Sequence, residues 1–83
     1  MKLAKAVKFR EEKFGGVLFE TRSGKVYTLN PTATAVVREI QAGCAEGEIA
    51  GRLAARYASA DAEIEREVGV FLAELRQKGL AED

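Results

Sequence analysis

Few residue types in this sequence could do chemistry. Carboxylates recur close together at Glu11-Glu12, at Glu46 and Glu48, and at Glu63, Glu65 and Glu67, which is the raw material of a general acid and base. Each set falls on a helix or strand face that reads as solvated, so none defines a catalytic pair. A single cysteine, Cys44, and no histidine at all rule out an internal disulfide, a Cys/His metal cluster and a Cys-His catalytic pair within the chain. Cys44 reads instead as a small residue buried at a helix corner. Gly15-Gly16 and Ser23-Gly24 lack both the spacing and the trailing Lys-Ser/Thr of a phosphate-binding loop, and they read as turns. No catalytic residue, metal ligand or cofactor is expected, and binding is left as the function class.

Three features go beyond what a bare fold requires. The run Lys25-Val26-Tyr27-Thr28-Leu29 is rich in strand formers and contains one charge. At a sheet edge it would leave backbone donors and acceptors open to a strand from another chain. In the third of three helices, Arg66, Gly69, Val70 and Ala73 fall opposite the apolar stripe, which leaves a small apolar strip flanked by Arg66 and Gln77. Arg22, Lys25, Arg38, Arg52, Arg56, Arg66 and Arg76 could draw in an acidic peptide or phosphates, although a solvated charged face is the simpler reading of them.

The elements that must position these residues follow from pattern. Met1 to Ala6 reads as a frayed lead-in, and Val7 to Glu12 alternates apolar and charged residues as a short edge strand. Phe14-Gly15-Gly16 breaks that pattern and leaves Phe14 free to fold onto the core. Gly16–Thr21 and Lys25–Leu29 flank an Arg22-Ser23-Gly24 turn, the pattern of a hairpin. Val17 and Phe19 face away from Leu18 and Glu20, and Val26 and Thr28 face away from Tyr27 and Leu29, so both sheet faces carry apolar residues. Asn30 offers a cap and Pro31 a first turn for a helix from Thr32 to Ala42, with Ala33, Val36, Val37 and Ile40 at helical spacing and Gly43 as a left-handed cap. A second helix over Glu46–Tyr57 carries Ile49, Ala50, Leu53, Ala54 and Tyr57 on one stripe, with Glu48, Arg52 and Arg56 facing away. Ser59 and Asp61 can cap a third, whose stripe is Ile64, Val68, Phe71, Leu72 and Leu75; Gly79 ends it, and Leu80 folds back on its last turn. The expected fold is α+β: a small winged-helix-like domain, a three-stranded antiparallel sheet followed by a three-helix bundle, spanning 1–83 as one domain.

Length and charge narrow the partners. At 83 residues the chain can bury a modest core but not a deep active-site cavity beside it. Thirteen basic residues balance thirteen acidic ones, which gives no general attraction to nucleic acid or an anionic membrane. No apolar run is long enough to span a bilayer or to serve as a signal peptide, so the cytoplasm is the default location.

The order and spacing of several motifs resemble a known family. Gly15-Gly16-Val17-Leu18, then Ser23-Gly24-Lys25-Val26-Tyr27, then Leu29-Asn30-Pro31-Thr32-Ala33, with Gly43, Glu48-Ile49 and a closing Phe71-Leu72-x-x-Leu75-x-x-x-Gly79-Leu80, together resemble the PqqD-like proteins, also called recognition elements of ribosomally made, modified peptides. The resemblance covers nearly the whole chain. It implies a peptide chaperone that holds the leader segment of a precursor peptide and presents it to a modifying enzyme, commonly a radical SAM (SPASM-type) maturase with auxiliary iron-sulfur clusters. It further implies that the leader docks as an added strand on Lys25, Val26, Tyr27, Thr28 and Leu29, with Arg66, Val70, Ala73 and Gln77 forming the other wall. The iron-sulfur chemistry would belong to the partner.

Two other readings compete. A winged-helix DNA-binding module would set one helix of the tight corner in a major groove, but the second helix mixes Arg52 and Arg56 with Glu46 and Glu48 and the chain is neutral. A structural subunit of the maturase would need no peptide, and an open edge also permits homodimers through strand pairing. The peptide reading predicts that DNA is bound no tighter than about 10⁻⁴–10⁻⁶ M at physiological salt. A sequence-dependent gel shift at nanomolar protein would overturn it.

Overall fold

Turn chemistry decides how the strands meet. The computed structural model describes residues 1–57 and 61–82. Its strands are β1 (Lys2–Leu3), β2 (Val7–Glu12), β3 (Gly15–Glu20), β4 (Lys25–Leu29) and β5 (Ala81–Glu82), and its helices are α1 (Pro31–Gln41), α2 (Glu46–Tyr57) and α3 (Asp61–Gln77). β2, β3 and β4 form an antiparallel sheet in that order, with Phe9, Leu18 and Tyr27 in register across it. At the β3–β4 turn the Glu20 carboxylate accepts from the Arg22 N–H and, at 3.1 Å, from the Ser23 N–H. Gly24 takes a positive φ of 76° that closes the turn. The three-stranded sheet and the three helices match the expected architecture.

The face of the sheet carrying Leu18 and Leu29 is buried by the helices. Leu18, Val36, Val37, Ile49, Leu53, Leu75 and Leu80 form the fully buried centre of the core. α1 is the central helix: Thr34, Ala35, Val36, Val37, Glu39 and Ile40 are all buried. It starts where the sequence indicates, with the Asn30 side chain accepting from the Ala33 N–H at 2.8 Å. α1 and α3 both end in left-handed glycines: the Cys44 N–H donates to the Glu39 carbonyl at 3.0 Å after Gly43, and the Leu80 N–H to the Leu75 carbonyl at 2.8 Å after Gly79. The caps expected from Ser59 and Asp61, and the place of Tyr57 on its stripe, fall on a residue and on side chains outside those described.

Three expectations need correction. The first residues are not frayed: Lys2 pairs with Glu82 and Leu3 with Ala81, and the Ala4 N–H donates to the Leu80 carbonyl at 2.9 Å, so the two ends of the chain clasp each other. Strands of two residues carry no readable period. Phe14 does not fold onto the core but stands 56% exposed at the β2–β3 turn, because Glu12 pairs directly with Gly15 and leaves Lys13 and Phe14 as the loop tip. Cys44 is half-buried rather than buried.

The glycine pair does more than turn the chain. A Cβ on Gly15, whose φ is 148°, would lie 2.2 Å from the Leu29 carbonyl oxygen, and one on Gly16 would lie 2.9 Å from both the Phe9 ring and the Thr34 hydroxyl. Gly15→Ala should therefore combine overpacking of about 1–3 kcal/mol with a backbone cost of about 1–3 kcal/mol. Gly24→Ala, with nothing within 4 Å of its Cβ, carries only the backbone cost. Urea denaturation of both variants separates the two effects, and equal destabilisation would refute the packing role of Gly15.

Candidate functional site

β4 is the open edge of the sheet, since its sole strand neighbour among the described residues is β3. Which of its backbone groups face outward follows from the turn. The Gly24 N–H donates to the Glu20 carbonyl at 2.8 Å, so the Glu20 main chain faces β4; the Thr21 N–H donates to the Ala6 carbonyl at 2.8 Å, so the next residue faces the other way. Alternation along the register then turns Lys25, Tyr27 and Leu29 toward β3, and Val26 and Thr28 outward. The N–H and C=O of Val26 and Thr28 are thus presented along the edge.

That edge borders an open groove of about 720 Å³. Val26, Tyr27, Thr28 and Leu29 form one wall, while Arg66, Glu67, Val70, Phe71, Glu74 and Lys78 of α3 form the other. Leu18, Val36, Leu75 and Leu80 lie at its floor, and Asn30, Thr32 and Ala33 close one end where α1 begins. The walls are bridged where the Lys78 ammonium stands 5.7 Å from the Tyr27 ring centroid. Lys78 is also paired with Glu74 at 3.5 Å. Arg66 and Glu67 have no such partner among the described residues, so the groove is apolar at its base and carries uncommitted charge of both signs at its rim.

Of the nine residues singled out from the sequence, Val26, Tyr27, Thr28, Leu29, Arg66 and Val70 come together around this groove. Lys25 sits at the hairpin tip, and Ala73 and Gln77 are exposed on α3 outside the groove lining. Glu67, Phe71, Glu74, Lys78, Thr32 and Ala33 were not anticipated as lining residues. At 100° per residue, the groove face of α3 is turned by roughly 80° from the strip opposite the apolar stripe. Phe71 supplied the available signal: it sits at the margin of that stripe and is half-buried, so it serves the groove rather than the deep core. Among the described residues no group of His, Cys, Asp and Glu is placed to hold a metal ion.

Residues 15–81 match the family model described as coenzyme PQQ synthesis protein D (PqqD), and the chain belongs to that family. It is also similar to the solved structure of a lasso peptide synthetase B1 complexed with the leader peptide, at 26% identity and a TM-score of 0.84, covering 99% of this chain and 96% of that one. TbiB1 in complex with the TbiA(beta) leader peptide shares the fold at a TM-score of 0.85 and 24% identity, over 100% of both chains. No curated protein matches the sequence.

The geometry separates groove from core on α3. Val70 is 54% exposed, so Val70→Glu should change the stability of the free protein by about 0.5 kcal/mol or less. Leu72 is 6% exposed, and Leu72→Ala should cost about 2–5 kcal/mol. Thermal melts of the two variants check this, and unfolding by Val70→Glu would place Val70 in the core.

Proposed function

We propose that this chain binds the leader segment of a ribosomally made precursor peptide as an added strand on β4 and presents it to a modifying enzyme, acting by binding rather than by catalysis. The observation that carries the reading is the pair of outward-facing residues, Val26 and Thr28, on an uncovered edge that lines a groove walled by α3. Main-chain pairing along such an edge supplies affinity, and the groove sorts side chains. Membership in the PqqD family supports it, as does the likeness to a synthetase component solved with a leader peptide.

An incoming strand would place the side chain opposite Tyr27 in the groove, against Val70 and Phe71, and those opposite Val26 and Thr28 on the far face of the sheet. The peptide-binding set is then Val26, Tyr27, Thr28, Leu29, Arg66 and Val70 together with Glu67, Phe71, Glu74 and Lys78, while Lys25, Ala73 and Gln77 act at its margin. Family resemblance points to a radical SAM maturase as the enzyme served. The likeness to a lasso peptide synthetase component favours a second reading, in which the partner is another component of a synthetase of that kind. Co-purification with the enzyme encoded beside this chain's gene separates them: visible iron-sulfur absorbance in the captured partner supports the first, and a colourless partner the second.

Strand addition makes a sharp mutational contrast. Proline at position 28 removes an outward N–H without breaking a bond to β3, whereas alanine keeps that N–H. Thr28→Pro should weaken the leader by about 1–3 kcal/mol, the cost of an unmade bond at a desolvated edge, while Thr28→Ala stays near wild type. Calorimetry with synthetic leaders from short reading frames next to the gene measures both. Equal effects of the two changes on folded protein would count against an added strand.

A further inference from the structure

We infer that the sheet face turned away from the helices is the docking surface for the modifying enzyme, and that a leader strand on β4 completes it; the inference rests on the peptide-binding reading above. Phe19 and Val26 are direct cross-strand partners, and both are exposed, at 40% and 59%. With Val17 they line a shallow depression on this face, bordered by Lys8 and Arg10. Phe19 and Val26 are two of the four large apolar side chains exposed among the described residues. Adjacent exposed apolar side chains of this kind can seat the apolar surface of a partner.

Charge selects the class of occupant. Lys8 lies opposite Phe19, and Arg10 lies opposite Val17, so the rim of the patch is cationic. Arg10 is paired with Glu12 at 2.6 Å but its side chain is 80% exposed, and Lys8 has no partner among the described residues. A second copy packed face to face about an axis across the strands would set these cations against their own kind, which is unfavourable. The complementary partner is a protein surface with an apolar centre and carboxylates around it.

Area gives an added strand a sizeable share of this surface. Three strands about 4.8 Å apart and roughly 20 Å long present on the order of 300 Å², well below the roughly 800 Å² per partner of a standard interface. The bare face therefore binds weakly. Val26 borders both the groove and the outer depression, so a peptide strand added at β4 extends this face directly. Its residues opposite Val26 and Thr28 stand in the same rows as Phe19 and Val17. Chain and peptide together form the surface, and the enzyme distinguishes a loaded carrier from an empty one. By linkage, the enzyme must strengthen leader binding by the same factor.

The test uses the full chain, a synthetic leader from the neighbouring precursor frame, and the modifying enzyme encoded beside it. Leader affinity is first measured on the chain alone, then affinity for immobilised enzyme with and without saturating leader. Phe19→Ser and the double reversal Lys8→Glu/Arg10→Glu should keep leader affinity within about twofold, while affinity of the loaded chain for enzyme falls at least about tenfold. If Phe19→Ser does not fold, as judged by circular dichroism, the charge reversal alone decides. Unchanged enzyme affinity in variants that still bind leader overturns this docking face and leaves the peptide reading standing. Failure of the wild-type chain to bind leader overturns both, and self-association that disappears in Phe19→Ser identifies a second copy as the occupant and overturns the enzyme.

Discussion

How closely α1 can lie on β3 governs the rest of the molecule. The contact is made where Gly16 has no side chain: the Thr34 hydroxyl and the Phe9 ring occupy the space a Cβ would need. The buried Thr34 oxygen has no hydrogen-bond partner among the described residues, a cost that the close approach has to offset. Gly15 does the same for the end of β4, where the Leu29 carbonyl passes through the position of its missing Cβ. Because only Asn30 separates β4 from α1, fixing α1 against β3 also fixes the direction in which the edge strand leaves the sheet. The groove inherits its end wall and part of its floor from that arrangement.

Stabilising contacts sit away from the open edge. Glu39 is a buried carboxylate on α1, held by Arg52 at 2.9 Å and Arg56 at 3.1 Å, and the two arginines fasten α2 across it. Arg76 donates to the Glu46 carboxylate from both terminal guanidinium nitrogens, one at 2.7 Å, which ties the end of α3 to the start of α2. The β1–β5 clasp joins the two ends of the chain beneath Leu80. None of these uses a β4 backbone group, so the edge can stay unpaired without loosening the fold. A long, flat, apolar edge would invite aggregation; this one is five residues long, carries Lys25 at its tip and lies under the overhang of Lys78.

Local signals were the legible ones. Asn30-Pro31 opened α1, Gly43 and Gly79 closed their helices, and the Ser23-Gly24 turn placed β4, because each acts through backbone geometry within a few residues. The family resemblance led to the same strand and the same helix. Less legible was anything that depends on how elements face one another. Arg52 and Arg56 read as facing away from the α2 stripe, and nothing local shows that, one turn apart, they converge on the buried Glu39 of α1. On α3 the wheel gave the core stripe correctly at Ile64, Val68, Leu72 and Leu75, but the edge strand meets the flank of that helix and not its back. That offset moved Glu67, Glu74 and Lys78 into the wall and Ala73 and Gln77 out of it.

Charge is distributed with the same logic. The chain is neutral overall, and many of its charges are spent in pairs on the body of the fold: Glu11 with Arg38, Glu39 with Arg52 and Arg56, Glu46 with Arg76. On the groove wall Glu74 and Lys78 hold each other, whereas Arg66 and its neighbour Glu67 are left uncommitted among the described residues. Exposed pairs contribute about 0–1 kcal/mol, so leaving these two single costs the free protein little. The same two charges would become more consequential if a strand covered the groove and removed water from around them, because a mismatched ligand would then bury an unpaired ion. On the proposed reading, an apolar floor open to many side chains would be combined with a rim that penalises the wrong charge, and selectivity would arise from what the groove rejects as much as from what it holds.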